Sequence, residues 1–336
     1  MEIAKITSHE EWKYFAKGGA NILFKYVGSH DYLKHKLLRL RLHKPDEEYI
    51  STCELYDFIE LKCKAIFPKL IIDVQLVVLD SKFVKNLNSN GNSIMLKEKY
   101  GLLLPNMLEG MNGENFCLSK HSKLYMNETY DSIMFELKPK WLYENYDTNY
   151  CRSCLLAQYK NYPRHFCPLD FLHEDTIEAG INDLFSLIPK NTLDKFALNK
   201  MPIKQLFIKY LLDPNNVFQK LKKYQQIEKV QDSISNLKSK NDVSPELSLI
   251  MTLRDTGLFI KFERYSLKNH SHNLYNNVPN IYSIDNYGKF LVTCKMYDLD
   301  LKSNNKFSHW VETEAKILSI YNSDNPNWRH CHRTRH

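Results

Sequence analysis

Phe135-Glu136-Leu137-Lys138-Pro139-Lys140-Trp141-Leu142 is the stretch on which the reading of this chain turns. It alternates like a β-strand as far as a proline, so Glu136, Lys138 and Lys140 leave one face together while Phe135 and Leu137 pack behind. Two ammonium groups and a carboxylate thus gather at one spot. Crowded lysines repel one another and lose hydration, and a multiply anionic ligand, phosphate above all, offsets that cost. The competing reading is a solvated edge strand, capped by Pro139, whose lysines guard against aggregation.

Composition bounds the chemistry. With 336 residues, 43% of them hydrophobic, the chain can bury one or two sizeable cores, and domain sizes of roughly 100–200 residues favour two. No apolar run approaches the roughly 18 residues that span a bilayer, and the opening MEIAKITSHEEWKYF lacks the apolar centre of a signal peptide. A soluble protein of the nucleus and/or cytoplasm is expected, with no membrane partner. Eight cysteines in a chain of this length do not form a small secreted disulfide framework. Lys and Arg number 46 against 39 Asp and Glu, a formal charge of +7 that suits an anionic small molecule or nucleic acid.

Outward from the quoted stretch, the first third reads as an α/β lobe. Tyr14 to Val27 holds two extended runs around Lys17-Gly18-Gly19-Ala20-Asn21, and Leu37 to Leu42 alternates leucine with arginine at period two. Glu47 to Phe67 has helical spacing, and Ile71 to Leu79 is strand-like. Gly18-Gly19 fits either a plain hairpin turn or a phosphate loop, and neither GxxxxGK[ST] nor GxGxxG occurs. Lys85 to Gly113 reads as loop around a short apolar segment at Leu102–Leu104.

Beyond the lysine strand, Ile177 to Leu187, Ile203 to Leu212 and Val217 to about Leu237 carry helical periodicity. Leu247 to Leu253 and Leu258 to Phe262 read as strands around Asp255-Thr256-Gly257, and Lys289 to Tyr297 as another that ends at Asp298-Leu299-Asp300. The tail after Asn322 reads as poorly structured. A carboxylate after a strand, Asp298, can hold a Mg²⁺ that bridges nucleotide phosphates, and a second, Asp255, can accept a hydroxyl proton. The plain alternative is two aspartates that stabilise turns.

In order along the chain, Gly18-Gly19-Ala20-Asn21, the arginine strand, Glu136-Leu137-Lys138-Pro139-Lys140, Cys151-Arg152-Ser153-Cys154, Cys167-Pro168-Leu169-Asp170, the Asp255 turn and Asp298-Leu299-Asp300-Leu301-Lys302 resemble the inositol-pentakisphosphate 2-kinase family. The resemblance spans residues 18 to 302. It implies a two-lobed α/β (α+β) fold related to protein kinases and other inositol phosphate kinases, with a small N-terminal nucleotide-binding lobe at 1–130, a hinge near 116–122 and a larger lobe at 131–336. The implied reaction moves the γ-phosphoryl of ATP to the 2-hydroxyl of inositol 1,3,4,5,6-pentakisphosphate, giving inositol hexakisphosphate (phytate). The implied partners are ATP, Mg²⁺ and the inositide, handled by a monomer with no obligatory nucleic acid.

By the same resemblance Gly18, Gly19, Ala20, Asn21, Arg39 and Glu136 attend the nucleotide, while Lys138, Lys140, Lys160, Lys302 and Lys306 attend inositide phosphates. Asp255 is the implied base and Asp298 the implied Mg²⁺ ligand. The chain departs from the family where Thr256-Gly257 replaces Cys-Ser, and where Lys306 and Trp310 stand in place of an arginine and a tyrosine. Arg39 and Arg41 share one strand face, so periodicity does not separate them.

Cys151, Cys154, His165 and Cys167 are ligand types that suit zinc, and C-x2-C is a proper first half-site. The family resemblance implies that Cys151 and Cys154 lie on a helix that presents Lys160, and packing there is the preferred reading, since cysteine is often a buried apolar residue. His330, Cys331, His332 and His336 are also ligand types, on a tail expected to fray. A rival from another class is a non-catalytic binder of nucleic acid or phosphoinositide headgroups. Such a binder has no use for Asp255 and Asp298 beside its lysines. A protein kinase is disfavoured, as neither H-R-D-L-x-x-x-N nor D-F-G is present.

Overall fold

Trp12–Lys17 (β1) and Asn21–Tyr26 (β2) form an antiparallel hairpin whose turn is the Gly18-Gly19-Ala20 segment. Lys36–Arg41 (β3) follows β2 and sends Leu38 and Leu40 into the core, leaving Arg39 and Arg41 half-buried on the opposite face. The structure, a computed structural model, describes residues 1–44, 49–88, 93–142, 151–162, 165–225, 234–266, 280–320 and 331–332.

Within the first compact unit, Met1–Glu109, Gln75–Val78 (β4) and Tyr100–Pro105 (β5) complete a five-stranded antiparallel sheet in the order β1-β2-β3-β5-β4. Thr52–Phe58 (α1) starts at Ser51, whose side chain accepts the Glu54 amide, and continues through a wider π-type turn at Ile59–Cys63. Ser81–Leu87 (α2) starts at Asp80 in the same manner. Ile3, Trp12, Ile22, Phe24, Val77, Phe83 and Leu103 pack this unit's core. The apolar segment at Leu102–Leu104, expected within a loop at 85–113, is the middle of β5, and the end of α2 also falls in that range.

The second unit, Gly110–His336, is built on a six-stranded antiparallel sheet. Asn115–Ser119 (β6), Ser122–Met126 (β7), Ser132–Leu137 (β8), Gly257–Arg264 (β9), Asn280–Ile284 (β10) and Gly288–Tyr297 (β11) lie in the order β10-β11-β9-β8-β7-β6. The boundary expected at 130 differs from this division. Residues 116–122, expected as a hinge, form the β6-β7 hairpin, which pairs through β7 with β8. β8 has neighbours on both sides, so the solvated-edge reading of the lysine strand fails.

Helices Arg152–Tyr159 (α3), Glu174–Phe185 (α4), Lys190–Leu198 (α5), Ile203–Leu212 (α6), Val217–Gln225 (α7), Pro245–Leu253 (α8) and Phe307–Ser319 (α9) complete this unit. Phe135 of β8 meets Phe207 of α6 at 5.0 Å between ring centroids, and Phe207 meets Phe262 of β9 at 5.1 Å. Aromatic packing of this kind fixes helix against sheet beyond what area alone supplies.

Residues 247–253, expected as a strand, are the helix α8. Leu247, Ser248, Ile250, Met251, Thr252 and Leu253 are all buried, so no polar face marks a helical period. The start signal was nevertheless present: Ser244 caps the helix by accepting the Leu247 amide at 3.0 Å, and Pro245 opens it.

Candidate active site

Strand register gathers the site. Leu137, the last residue of β8, pairs with Leu258 of β9, and Gly257 at the start of β9 pairs with Tyr297 at the end of β11. Lys138 just after β8, Asp255 just before β9 and Asp298 just after β11 therefore lie at one end of the sheet. Their side chains meet there. Lys138 Nζ bonds Asp298 Oδ2, Lys140 Nζ lies 2.5 Å from Asp255 Oδ1, and Lys302 Nζ lies 2.6 Å from Asp255 Oδ2.

Each of these groups is partly shielded from water, which strengthens the pairing relative to a surface ion pair. Burial pushes the Asp255 carboxyl up. The charges and hydrogen bonds of Lys302 and Lys140 outweigh burial and hold it well below the usual carboxylate range. Burial likewise pulls the Lys138 ammonium down, and Asp298, with help from Asp255 and Glu136, more than restores it, leaving its pKa raised. Asp298 itself sits at φ 61°, a left-handed conformation that aspartate tolerates better than most residues.

Glu136 is engaged differently. Tyr125 Oη donates to its Oε2 at 2.8 Å and Tyr297 Oη donates to Oε1. The Tyr297 ring stacks on Phe259 at 4.5 Å and covers Gly257, where a Cβ would fall 2.2 Å from the ring. Thr256 Oγ1 donates to the Tyr297 carbonyl at 2.8 Å. The Thr-Gly pair that departs from the family pattern thus joins the Asp255 turn to the Asp298 strand.

The segment after the lysines is fixed from below. Trp141, at φ 58°, lies between two guanidinium groups, Arg152 at 3.4 Å and Arg254 at 4.3 Å from its ring centroid. Arg254 is almost wholly buried and donates to the Gln225 carbonyl at 2.8 Å, while Gln225 Oε1 accepts the Leu142 amide at 2.7 Å. Arg152 pairs with Glu314 of α9 through Nε and Oε1 at 2.5 Å. Ser153 Oγ donates to the Lys140 carbonyl at 2.9 Å. Helix α3 and the residue preceding Asp255 therefore brace the same turn.

Other expected residues fall outside this group. Lys160 is the exposed C-cap of α3 and Lys306 the exposed N-cap of α9; among the described contacts neither joins the paired set. Trp310, one turn into α9, is core, packed with Trp141, Leu247, Ile250 and Met251. In the first unit, Gly18 donates its amide to the Asn21 carbonyl at 2.9 Å, the Ala20 carbonyl accepts the Leu42 amide at 2.9 Å, and Asn21 Oδ1 accepts from Arg41 at 3.2 Å. Neither Gly18 nor Gly19 has a positive φ, and an added Cβ meets nothing closer than 3.8 Å. Nothing in the hairpin itself calls for glycine there. Arg39 is half-buried in β3, paired across to Leu23 and Leu102.

Sequence reading gave no role to Tyr125, Tyr297, Ser153, Trp141 or Arg254, and placed His121 only within the expected hinge. His121, in the β6-β7 turn, is exposed; even so, partial burial, then the charges of Lys140, Lys138 and Lys120, lower its pKa to about 4. Trp141 directly follows the lysine motif and was the one legible neighbour.

The cysteines also differ from expectation. His165 is exposed, whereas Cys331 from the tail is buried with Cys151, Cys154 and Cys167. Of the other tail residues, His330 and His336 lie outside the described residues.

As a receptor the paired group offers three ammonium donors around two carboxylates, all half-accessible. Asp298 supplies one hard oxygen donor at a strand end, and Mg²⁺ is ordinarily held by one or two carboxylates plus substrate phosphates, so the donor set fits that ion. No helix among the described residues is long and apolar enough to cross a membrane.

The family model for inositol-pentakisphosphate 2-kinase matches residues 14–316. A Debaryomyces hansenii protein of that name is 55% identical over 366 aligned residues, covering 98% of this chain and 97% of its own. The Saccharomyces cerevisiae protein of that name is 28% identical, over 92% of this chain and 98% of its own, and that of Kluyveromyces lactis is 23% identical, over 94% and 98%.

Proposed function

Since the chain belongs to the inositol-pentakisphosphate 2-kinase family, we propose that the lysine–aspartate group at the sheet end is where it phosphorylates the 2-hydroxyl of inositol 1,3,4,5,6-pentakisphosphate, with ATP as donor. The observation that carries this reading is the pairing of Lys140 and Lys302 with the two oxygens of Asp255, beside Lys138 on Asp298. A pure anion binder gains nothing from carboxylates that compete with its ligand. A phosphotransferase needs both, one near the acceptor hydroxyl and one for the metal.

In this reading Lys138, Lys140 and Lys302 bind ring phosphates, with Lys160 and Lys306 as further phosphate contacts. An Asp255 pinned by two ammonium groups is a poor base. When phosphates draw Lys140 and Lys302 away, Asp255 loses the charges that depress its pKa and becomes an acceptor for the ring hydroxyl. Substrate binding itself then arms the base.

Mg²⁺ when bound would be held by Asp298 and supply charge neutralisation at the transferring phosphates. Gly18, Gly19, Ala20 and Asn21 would attend the nucleotide with open space for a close approach, Arg39 would contribute its guanidinium to phosphate, and Glu136 would hold its two tyrosines in place or accept from the nucleotide. Incubation with ATP, Mg²⁺ and inositol 1,3,4,5,6-pentakisphosphate, followed by ion-exchange separation, should yield inositol hexakisphosphate. Unchanged pentakisphosphate from folded protein would overturn the assignment.

A further inference from the structure

Helix α8 is packed into the core, yet two hydroxyls lie one turn apart within it. Thr252 has 0% exposure and Ser248 5%, among buried Leu247, Ile250, Met251 and Leu253. Packing alone calls for no hydroxyl there, since valine has nearly the shape of threonine and a buried polar group costs stability unless it is bonded. Both hydroxyls are bonded to the segment that joins β11 to α9.

Thr252 Oγ1 donates to the Ser248 carbonyl at 2.9 Å, and the Asp300 carbonyl lies 3.2 Å from the same oxygen. It also accepts from the Lys302 amide at 3.3 Å. A hydroxyl has one proton and two lone pairs, so these roles are compatible. Ser248 Oγ donates to Asn304 Oδ1 at 3.2 Å. Residues 298–303 form neither strand nor helix, and the ties to α8 set where the Lys302 side chain starts.

The same threonine holds the other half of the ion pair. Its carbonyl accepts the Asp255 amide at 3.0 Å, while Lys302 Nζ lies 2.6 Å from Asp255 Oδ2. One residue thus anchors both the cation and the carboxylate, the first by its side chain and the second by its main chain. We propose that Thr252 is a positioning residue for inositide recognition, its hydroxyl fixing the place from which Lys302 leaves Asp255 to meet a ring phosphate. This rests on the reading of Lys302 as a phosphate contact. Because Asp255 is held by the main chain, loss of the hydroxyl should act on binding and spare the chemical step.

Hydrogen exchange and steady-state kinetics on the full chain test this. In Thr252→Val the Lys302 amide should exchange about tenfold faster or more, while the Asp255 amide keeps its wild-type rate. The KM for inositide should rise about three- to tenfold, the range of one net hydrogen bond, with kcat and the KM for ATP within about twofold. Thr252→Ser should restore it. In a Lys302→Ala background Thr252→Val should add nothing further, whereas a packing defect would add its own cost. Unchanged exchange at Lys302, an unchanged inositide KM, additive effects or no rescue by serine would each overturn the proposal. If Lys302→Ala alone leaves the inositide KM unaltered although the Lys302 amide responds to Thr252→Val, the phosphate reading of Lys302 is what fails, and the proposal falls with it. Should Thr252→Val not fold, Thr252→Ser should keep the wild-type inositide KM and Ser248→Ala should raise it; any other pattern would overturn the assignment.

Discussion

Ser153 Oγ donates to the carbonyl of Lys140 across 2.9 Å, joining the first turn of α3 to the strand-end lysines. The bond spans 13 residues and is partly buried, so it fixes where the Lys140 side chain starts. Removing it leaves a shielded carbonyl without that donor.

Ser153→Ala should therefore raise the KM for inositide several-fold and leave the KM for ATP nearly unchanged. A net hydrogen bond contributes about 0.5–1.5 kcal/mol, which corresponds to that range. Steady-state kinetics with each substrate varied would check it, and equal rises in both constants would assign Ser153 to general stability.

For Asp255→Asn, kcat should fall by about 10²–10⁴, the range for loss of a positioned base, while inositide binding by calorimetry should stay intact or tighten. The variant no longer holds Lys140 and Lys302 away from the ligand. Lys138→Ala and Lys140→Ala should instead raise inositide KM by about tenfold or more, since a charge-assisted hydrogen bond contributes about 1.5–3 kcal/mol. Normal turnover in the Asn variant would remove Asp255 from the chemistry.

His121 reports on the lysines. Its depressed pKa, about 4 against an ordinary 6.5, means that the unfolded chain takes up this proton before the folded one does. Its contribution to stability is therefore complete above about pH 6.5 and declines as pH falls toward 4, by a modest amount because the ring is exposed. His121→Gln should flatten that part of the pH–Tm curve. Bound phosphates neutralise the neighbouring ammonium groups, so proton titration by NMR should show the His121 pKa rising when inositide is added. A value that stays put would separate His121 from the binding site.

Gly257→Ala should be costly for its size. The new Cβ would overlap the Tyr297 ring, which must move and give up its bond to Glu136. Overpacking of this kind costs about 1–3 kcal/mol, and thermal melts should show it. An unperturbed Tm would mean that the ring swings aside freely.

Much of the site was legible because it lies on strands. Alternation gave the facing of Phe135 and Leu137 and strand ends gave Asp255 and Asp298, but β8 stops at Leu137, so the lysines lie past the strand and its period does not set where they point. Helix α8 was not legible, because a helix buried all round has no polar face to betray its period. The convergence of Cys331 on α3 was not legible either, as no local pattern connects residues so far apart. Lys160, Lys306 and Trp310 were placed by motif position alone, and Trp310 shows the limit: an aromatic one turn into an amphipathic helix went to the core.

One property of the resting site bears on how affinity responds to solution conditions. Lys138, Lys140 and Lys302 already rest on carboxylates before any ligand arrives. Polyphosphate entry is thus an exchange of internal counter-ions for external ones. In a bare cationic groove buffer anions must leave, and each departure steepens the dependence on salt. Here the displaced charges stay tethered to the chain. Affinity for the inositide should fall more gently with ionic strength than the number of lysine–phosphate contacts suggests, which would let the enzyme hold a highly charged substrate with little regard to ambient salt.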